Sequence, residues 1–152
     1  MILLLRHGDA ADGEPDAERP LTAKGEKQAR AAGAALGALG VDLDACLTSP
    51  KVRARDTARI ACEALGSVEM RTEPKLAGGR FDADALAAGA GENVLLVGHD
   101  PDFTDAVREL TGAKAKLKKG GLAVVDDRKL VALLRPAELA AIARGAGRAS
   151  AA

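Results

Sequence analysis

The chain has no tryptophan, no tyrosine and two phenylalanines. It therefore lacks the aromatic platforms on which single-stranded bases stack. It also lacks excess charge. Its 22 Lys and Arg balance its 22 Asp and Glu, so no overall field draws nucleic acid or an anionic membrane. The apolar run after Met1, Ile2–Leu5, is far too short for a signal sequence or a membrane span. A cytoplasmic protein is expected, with neither nucleic acid nor membrane as partner. Two cysteines do not make a disulfide scaffold. Cys46 in an apolar run and Cys62 in a helical pattern suit buried free thiols. No cysteine–histidine cluster has zinc-ligand spacing, so no metal and no cofactor is expected.

What remains is an aliphatic, alanine-rich chain of 152 residues, 47% hydrophobic, which is enough for one core. Residues 1–144 are expected to form a single domain and Gly145 to Ala152 a flexible tail. Strand candidates are Ile2–Leu5, Ala45–Thr48, Val68–Arg71, Val94–Val97, Leu122–Asp126 and Lys129–Leu134. Helical patterns lie between most of them. Thr22 can cap a helix to about Leu39, with Ala29, Ala32, Leu36 and Leu39 on one stripe and Gly40 at its end. A second helix, from about Val52 to Leu65, aligns Ala54, Ala58, Ala61 and Leu65 and stops at Gly66. A short third helix starts at Asp82 or Asp84 and runs through Ala88. A fourth opens at Pro101 or Asp102 and stops at Gly112. The last two strands are joined through Asp127-Arg128 as a hairpin, and Pro136 opens a last helix, Ala137 to Arg144. Alternating strands and helices give an α/β class: a three-layer α/β/α sandwich with a mostly parallel central sheet.

The only two histidines each follow an apolar run and a turn. One closes Leu5-Arg6-His7-Gly8, the other Val97-Gly98-His99-Asp100-Pro101. In parallel sheets, function collects at the carboxyl ends of strands. Arg53 lies in the first turn of the helix after Thr48-Ser49-Pro50. If the three strands are neighbours, Arg6, His7, Arg53 and His99 meet at one edge of the sheet. Two guanidiniums with two imidazoles suit a dianionic phosphoryl group. Arginine offers a planar fork matched to phosphate oxygens, and a helix starting near Pro101 adds N–H groups and a positive dipole end. A neutral imidazole can itself attack phosphorus and split hydrolysis into two steps. Taken singly, each residue has a plainer reading as a solvated or backbone-bonded side chain.

Four ordered blocks resemble the histidine phosphatase superfamily, which includes the phosphoglycerate mutases. They are Leu5-Arg6-His7-Gly8, Arg19-Pro20-Leu21-Thr22-Ala23-Lys24-Gly25, Thr48 to Ala54 with Thr57-Ala58, and Val97-Gly98-His99. The match runs from Met1 to about Val131. Short length and Arg6-His7-Gly8-Asp9-Ala10 are similar to the SixA-type phosphohistidine phosphatases. The resemblance implies that His7 is the nucleophile and that Arg6, Arg53 and His99 complete the phosphate pocket. It implies the family's α/β/α sandwich and a metal-independent phosphatase acting on phosphohistidine in proteins.

Two departures bear on substrate. The stretch Glu73 to Arg80 is too short for the inserted acidic lid of mutases and small-molecule phosphatases. Asp100 resembles the proton donor of the acid-phosphatase branch, yet it is equally placed to cap the following helix. The loop from Asp9 to Arg19 carries Asp9, Asp12, Glu14, Asp16 and Glu18 and reads as a solvated loop able to repel polyanions or meet a basic surface; Arg19 is a candidate for the pocket rim. Lys114, Lys116, Lys118 and Lys119 read as a solvated connection. The partner is thus a phosphorylated protein or a small phosphate ester. The alternatives are a small-molecule phosphomonoesterase on the same fold, or a non-catalytic module binding a phosphorylated ligand. A cysteine mechanism is rejected, because six residues separate Cys46 from Arg53 and none is glycine.

Overall fold

The computed structural model describes residues 1–66 and 68–151, with side chains through residue 149. Its centre is the strand β1 (Ile2–Arg6), whose Leu3, Leu4 and Leu5 have no exposed surface. A continuous aliphatic run fits a strand covered on both faces, because alternate side chains point to opposite layers. Leu4 joins Leu96, Phe103 and Leu117 on one face, whereas Leu3 and Leu5 join Leu36, Leu95 and Val97 on the other. Truncating any of the three leucines to alanine would cost about 2–5 kcal/mol.

The chain continues through α1 (Ala23–Ala38), β2 (Ala45–Thr48), α2 (Val52–Leu65) and β3 (Met70–Thr72), then α3 (Ala83–Ala88), β4 (Val94–Gly98) and α4 (Asp102–Thr111). It ends with β5 (Leu122–Asp126), β6 (Lys129–Leu134) and α5 (Pro136–Ala151). The six-stranded sheet has the order β3-β2-β4-β1-β5-β6. The pairs β1/β4, β2/β4 and β2/β3 are parallel, and β5 and β6 add on antiparallel. Side chains of α1, α2 and α5 pack on one face, and α3 and α4 on the other, giving the expected three layers.

Small residues set the spacing of the helical layer. At Gly33 of α1, an added Cβ would lie 2.1 Å from the carbonyl oxygen of Ala61 in α2. The two helices therefore approach to backbone contact, which alanine stripes permit and larger side chains would prevent. The helix limits follow their signals. Thr22 Oγ1 accepts from Gly25 N at 3.1 Å, and Gly66 and Gly112 end α2 and α4 at positive φ. The β5–β6 turn holds Asp127 and Arg128 at φ 47° and 57°, the left-handed pair that a tight hairpin requires.

Three expectations shift. The third strand runs over Met70–Thr72 rather than Val68–Arg71, at a sheet edge where all three residues are exposed and no burial pattern marks its ends. Leu39, expected on the buried stripe, caps α1 and is 54% exposed. The last helix does not stop at Arg144 but continues to Ala151, as an alanine-rich segment without proline can. Ala152, the end of the expected tail, lies outside the described residues, as does Ser67.

Candidate active site

The order β2-β4-β1 makes neighbours of the three strands that carry the candidate residues. Register brings their ends level: Arg6 pairs with Gly98, and Thr48 with Val97. Backbone bonds carry that alignment past the strands, from His7 N to Gly98 O (2.9 Å) and from Ser49 N to Val97 O (3.0 Å). His7 and His99 consequently stand side by side, with ring centroids 5.2 Å apart and planes tilted by 55°. Both are buried, as is Arg53. The sheet thus brings Arg6, His7, Arg53 and His99 together.

His7 Nδ1 lies 2.7 Å from the carbonyl oxygen of Gly8. A carbonyl can only accept, so Nδ1 carries the proton and Nε2 keeps its lone pair. Burial pushes the His7 pKa down to about 4, and the nearby Arg53, Arg6 and Lys119 charges push the same way. The ring is neutral at pH 7 and its free nitrogen is a base. The loop that sets its angle is itself fixed. Gly8 N donates to Thr57 Oγ1 (3.0 Å), and Thr57 Oγ1 donates to Arg53 O (2.7 Å). Gly25 lets the loop lie on the start of α1, where an added Cβ would come 2.0 Å from Asp9 O.

Burial likewise drives His99 down to about 3, helped by His7, Arg53 and Lys51. Its Nε2 shares a hydrogen bond with Ser49 Oγ (2.8 Å), which also accepts from Lys51 N (3.2 Å). Arg6 Nη1 donates to Leu117 O at 2.9 Å. Arg53 is held from the other side, its Nη1 donating to Asp16 O (2.9 Å) and its Nη2 to Asp16 Oδ2 (3.2 Å). Asp16 also meets Arg19 and Lys51. Bonds from Arg19 and Arg53 hold its carboxyl well below the usual range.

Arg19, expected at the rim, donates to Ala11 O (2.9 Å) and Asp16 Oδ1 (3.2 Å). It braces the loop and reaches the pocket only through Asp16. Asp100 stands one residue before Pro101, the N-cap of α4; its carboxylate accepts from Thr104 N (3.0 Å), an otherwise free donor of the first turn, and from Thr104 Oγ1 (2.7 Å), and lies 4.0 Å from Arg6 Nη1.

Sequence reasoning gave no role to Asp16, Ser49, Thr57 or the Leu117 carbonyl. Ser49 and Thr57 sit inside quoted motif blocks, so their signal was available. Asp16 looks like any of five acidic loop residues, and a carbonyl has no sequence signature. Among the described residues, the buried side-chain polar atoms without a partner are Arg6 Nε, Arg53 Nε and His99 Nδ1. Folded proteins seldom leave such atoms unpaired. Their confinement to one site marks a place built for a ligand, and its cationic walls favour an anion.

The model of the histidine phosphatase superfamily (branch 1) matches residues 2–83. The chain belongs to that superfamily. Among the solved histidine phosphatases that it resembles in structure is SixA. The protein histidine phosphatase SixA in complex with tungstate aligns with a TM-score of 0.77 at 25% identity, over 91% of this chain and 98% of that one. A candidate phosphohistidine phosphatase SixA from Agrobacterium tumefaciens aligns with a TM-score of 0.76 at 25% identity, over 89% of this chain and 97% of that one. An uncharacterised protein of Picosynechococcus is 33% identical over 138 residues, 80% of this chain and 81% of the relative. Among the described residues, no helix of this histidine phosphatase is long and apolar enough to cross a membrane.

Proposed function

We propose that the chain hydrolyses phosphohistidine in proteins through a phosphoryl intermediate on Nε2 of His7. The observation that carries this reading is the bond from His7 Nδ1 to Gly8 O, which leaves one lone pair on a ring that stands beside a second imidazole and feels the charges of Arg53 and Arg6. Nε2 attacks phosphorus and forms an N–P bond. The substrate's own P–N bond breaks, and its electron pair returns to an imidazole that departs neutral because its other nitrogen carries a proton. Water then attacks phosphorus, orthophosphate leaves, and His7 regains its lone pair. Arg6, Arg53 and His99 surround the transferring group, and positioning with charge neutralisation is most of what phosphoryl transfer requires. The likeness to SixA, a protein bound to the tetrahedral oxyanion tungstate, supports this assignment.

An alkoxide leaving group benefits from a positioned acid, worth ~10²–10⁴-fold. Imidazole is a much better leaving group. Asp100 is engaged by Thr104, and the short turn Pro74–Ala77 stands where a lid acid would be inserted. Both fit a P–N substrate better than an alkyl phosphate. Among the described residues, no three His, Cys, Asp or Glu side chains converge as metal ligands. The test is rapid quench with a labelled phosphoramidate donor, in the presence of EDTA. An acid-labile, alkali-stable adduct that His7→Ala abolishes is expected. Label retained on the His7→Ala protein, or formed only after a metal is added, overturns the reading.

A further inference from the structure

The lysines after α4 do not line an idle connection. Lys114, Lys116 and Lys118 are exposed, while Ala115 and Leu117 between them are buried. That alternation is the pattern of an extended chain and sets the lysines ~6.6 Å apart along one face. The inner face of the same segment supplies the carbonyl that holds Arg6, and Leu117 N meets Thr104 Oγ1, the partner of Asp100. The lysine row is therefore fastened to the phosphate pocket.

Lys116 and Lys118 line one side of a groove of about 660 Å³, together with Lys119, Lys24, Arg135 and Arg6 itself. Asp9 is the single carboxylate in its lining. It lies 3.7 Å from Lys119, and Arg135 is engaged by Glu138. Lys24, Lys116 and Lys118 make no ion pair among the described residues and are exposed. A groove that begins at a phosphate-site arginine thus sets three exposed lysines without an ion pair against a single carboxylate.

Resting on the reading of the site as a protein phosphatase, we propose that this groove takes an acidic stretch of the phosphoprotein, beside the phosphorylated side chain. Point charges spaced along an extended chain match carboxylates on alternate residues of an extended peptide. A second phosphate would need donors converging on one point, ideally a guanidinium fork, and the fork of Arg135 is already occupied by Glu138. The acidic loop on the Arg53 side repels carboxylates, so the acidic flank has one favourable orientation, towards Arg6. Rim charges of this kind act on encounter and on salt dependence more than on the chemical step.

The test compares two synthetic peptides carrying one phosphohistidine, one flanked by alternating Asp and Glu, the other by Asn and Gln. At low salt the acidic peptide should show a kcat/KM roughly tenfold higher, mostly through KM, as expected of a few exposed ion pairs. The advantage should fade at high salt and vanish in the triple variant Lys24→Ser/Lys116→Ser/Lys118→Ser. Hydrolysis of free phosphoramidate should be unchanged in that variant, and this arm reports the phosphatase reading separately. Equal rates on the two peptides, or a preference that survives in the variant, overturn the proposal. A sugar bisphosphate losing rate in the variant while the peptide preference stays would assign the groove to a second phosphate instead. If phosphoramidate and both peptides resist hydrolysis, the phosphatase reading fails; the groove is then judged by fluorescence polarisation of a labelled acidic peptide lacking phosphohistidine. Weaker binding to the triple variant supports it, and equal binding overturns it.

Discussion

The two arginines beside the histidine pair differ in nearly everything around them. Arg6 leans on a neutral carbonyl, that of Leu117, with its nearest carboxylate, Asp100, 4.0 Å away. Arg53 leans on the carboxylate and carbonyl of Asp16. Beyond Arg6 lies a groove of lysines; beyond Arg53 lies the acidic loop. An anion arriving at Arg6 meets a guanidinium whose carboxylate partner is 4.0 Å off and engaged by Thr104, whereas at Arg53 it must share the fork with a carboxylate at 3.2 Å. Equal residue types therefore do not make equal halves of a site.

The sharpest way to break that contrast is to remove each guanidinium in turn. Losing one phosphate-clamping donor costs about 10²–10³-fold in kcat/KM. Arg6→Met should fall at the low end. Arg53→Met should reach the high end, because it also leaves the Asp16 carboxylate facing an anionic substrate. Adding Asp16→Asn to Arg53→Met should recover roughly tenfold, and adding it to Arg6→Met should recover no more than the several-fold it gives in the unsubstituted protein. Equal losses without this selective rescue, in a double-mutant cycle on kcat/KM, would mean that the surroundings of the two arginines are irrelevant.

A second test concerns the imidazole floor between them. The ordinary histidine value of 6.5 applies to the unfolded chain, whereas the folded values are about 4 for His7 and about 3 for His99. Between those limits the unfolded chain binds more protons than the native one. Stability is therefore complete above pH 6.5 and is lost as pH falls towards 4, with a slope of about 1.4 kcal/mol per pH unit for each imidazole. Denaturant melts across pH 7 to 5 should show this decline, while the acid limb of kcat/KM stays near pH 4. After burial, Arg53 is the strongest cation lowering His7, ahead of Arg6. Arg53→Met should thus raise the acid limb further than Arg6→Met. An acid limb near 6.5 in the unsubstituted protein would contradict the buried, neutral floor.

The smallest effect is expected from Asp16→Asn alone. Relieved of its competitor, Arg53 should bind orthophosphate several-fold more tightly, seen as a lower inhibition constant at low salt. An increase in that constant would show that Asp16 mainly positions the guanidinium.

Which parts of this contrast were legible beforehand follows from how each is encoded. Arg6, His7, Arg53 and His99 sit at fixed offsets from apolar runs, and burial writes such runs into the sequence. The same holds for α2, bounded by Lys51 and Gly66, and for the hairpin at Asp127-Arg128. The partner of Arg53 was not legible, because loop closure pairs Asp16 with a residue 37 positions away and no period marks it. Lys116 and Lys118 were visible as charges, but not as one wall of a groove completed by Lys24 from the start of α1. The edge strand β3 slipped by two residues at its start for the related reason that, exposed throughout, it carries no alternation to read.

On the proposed mechanism, the pinned ring of His7 would also fix what happens at phosphorus. With Nδ1 bound to Gly8 O, only one nitrogen can accept the phosphoryl group, so the adduct is a single regioisomer, identifiable by its phosphorus resonance. Entry of the phosphoryl group inverts the configuration at phosphorus, and departure to water inverts it again. A thiophosphoryl substrate made chiral with two oxygen isotopes and hydrolysed in water of the third would then leave as thiophosphate of retained configuration, a stereochemical record of two passages over one nitrogen.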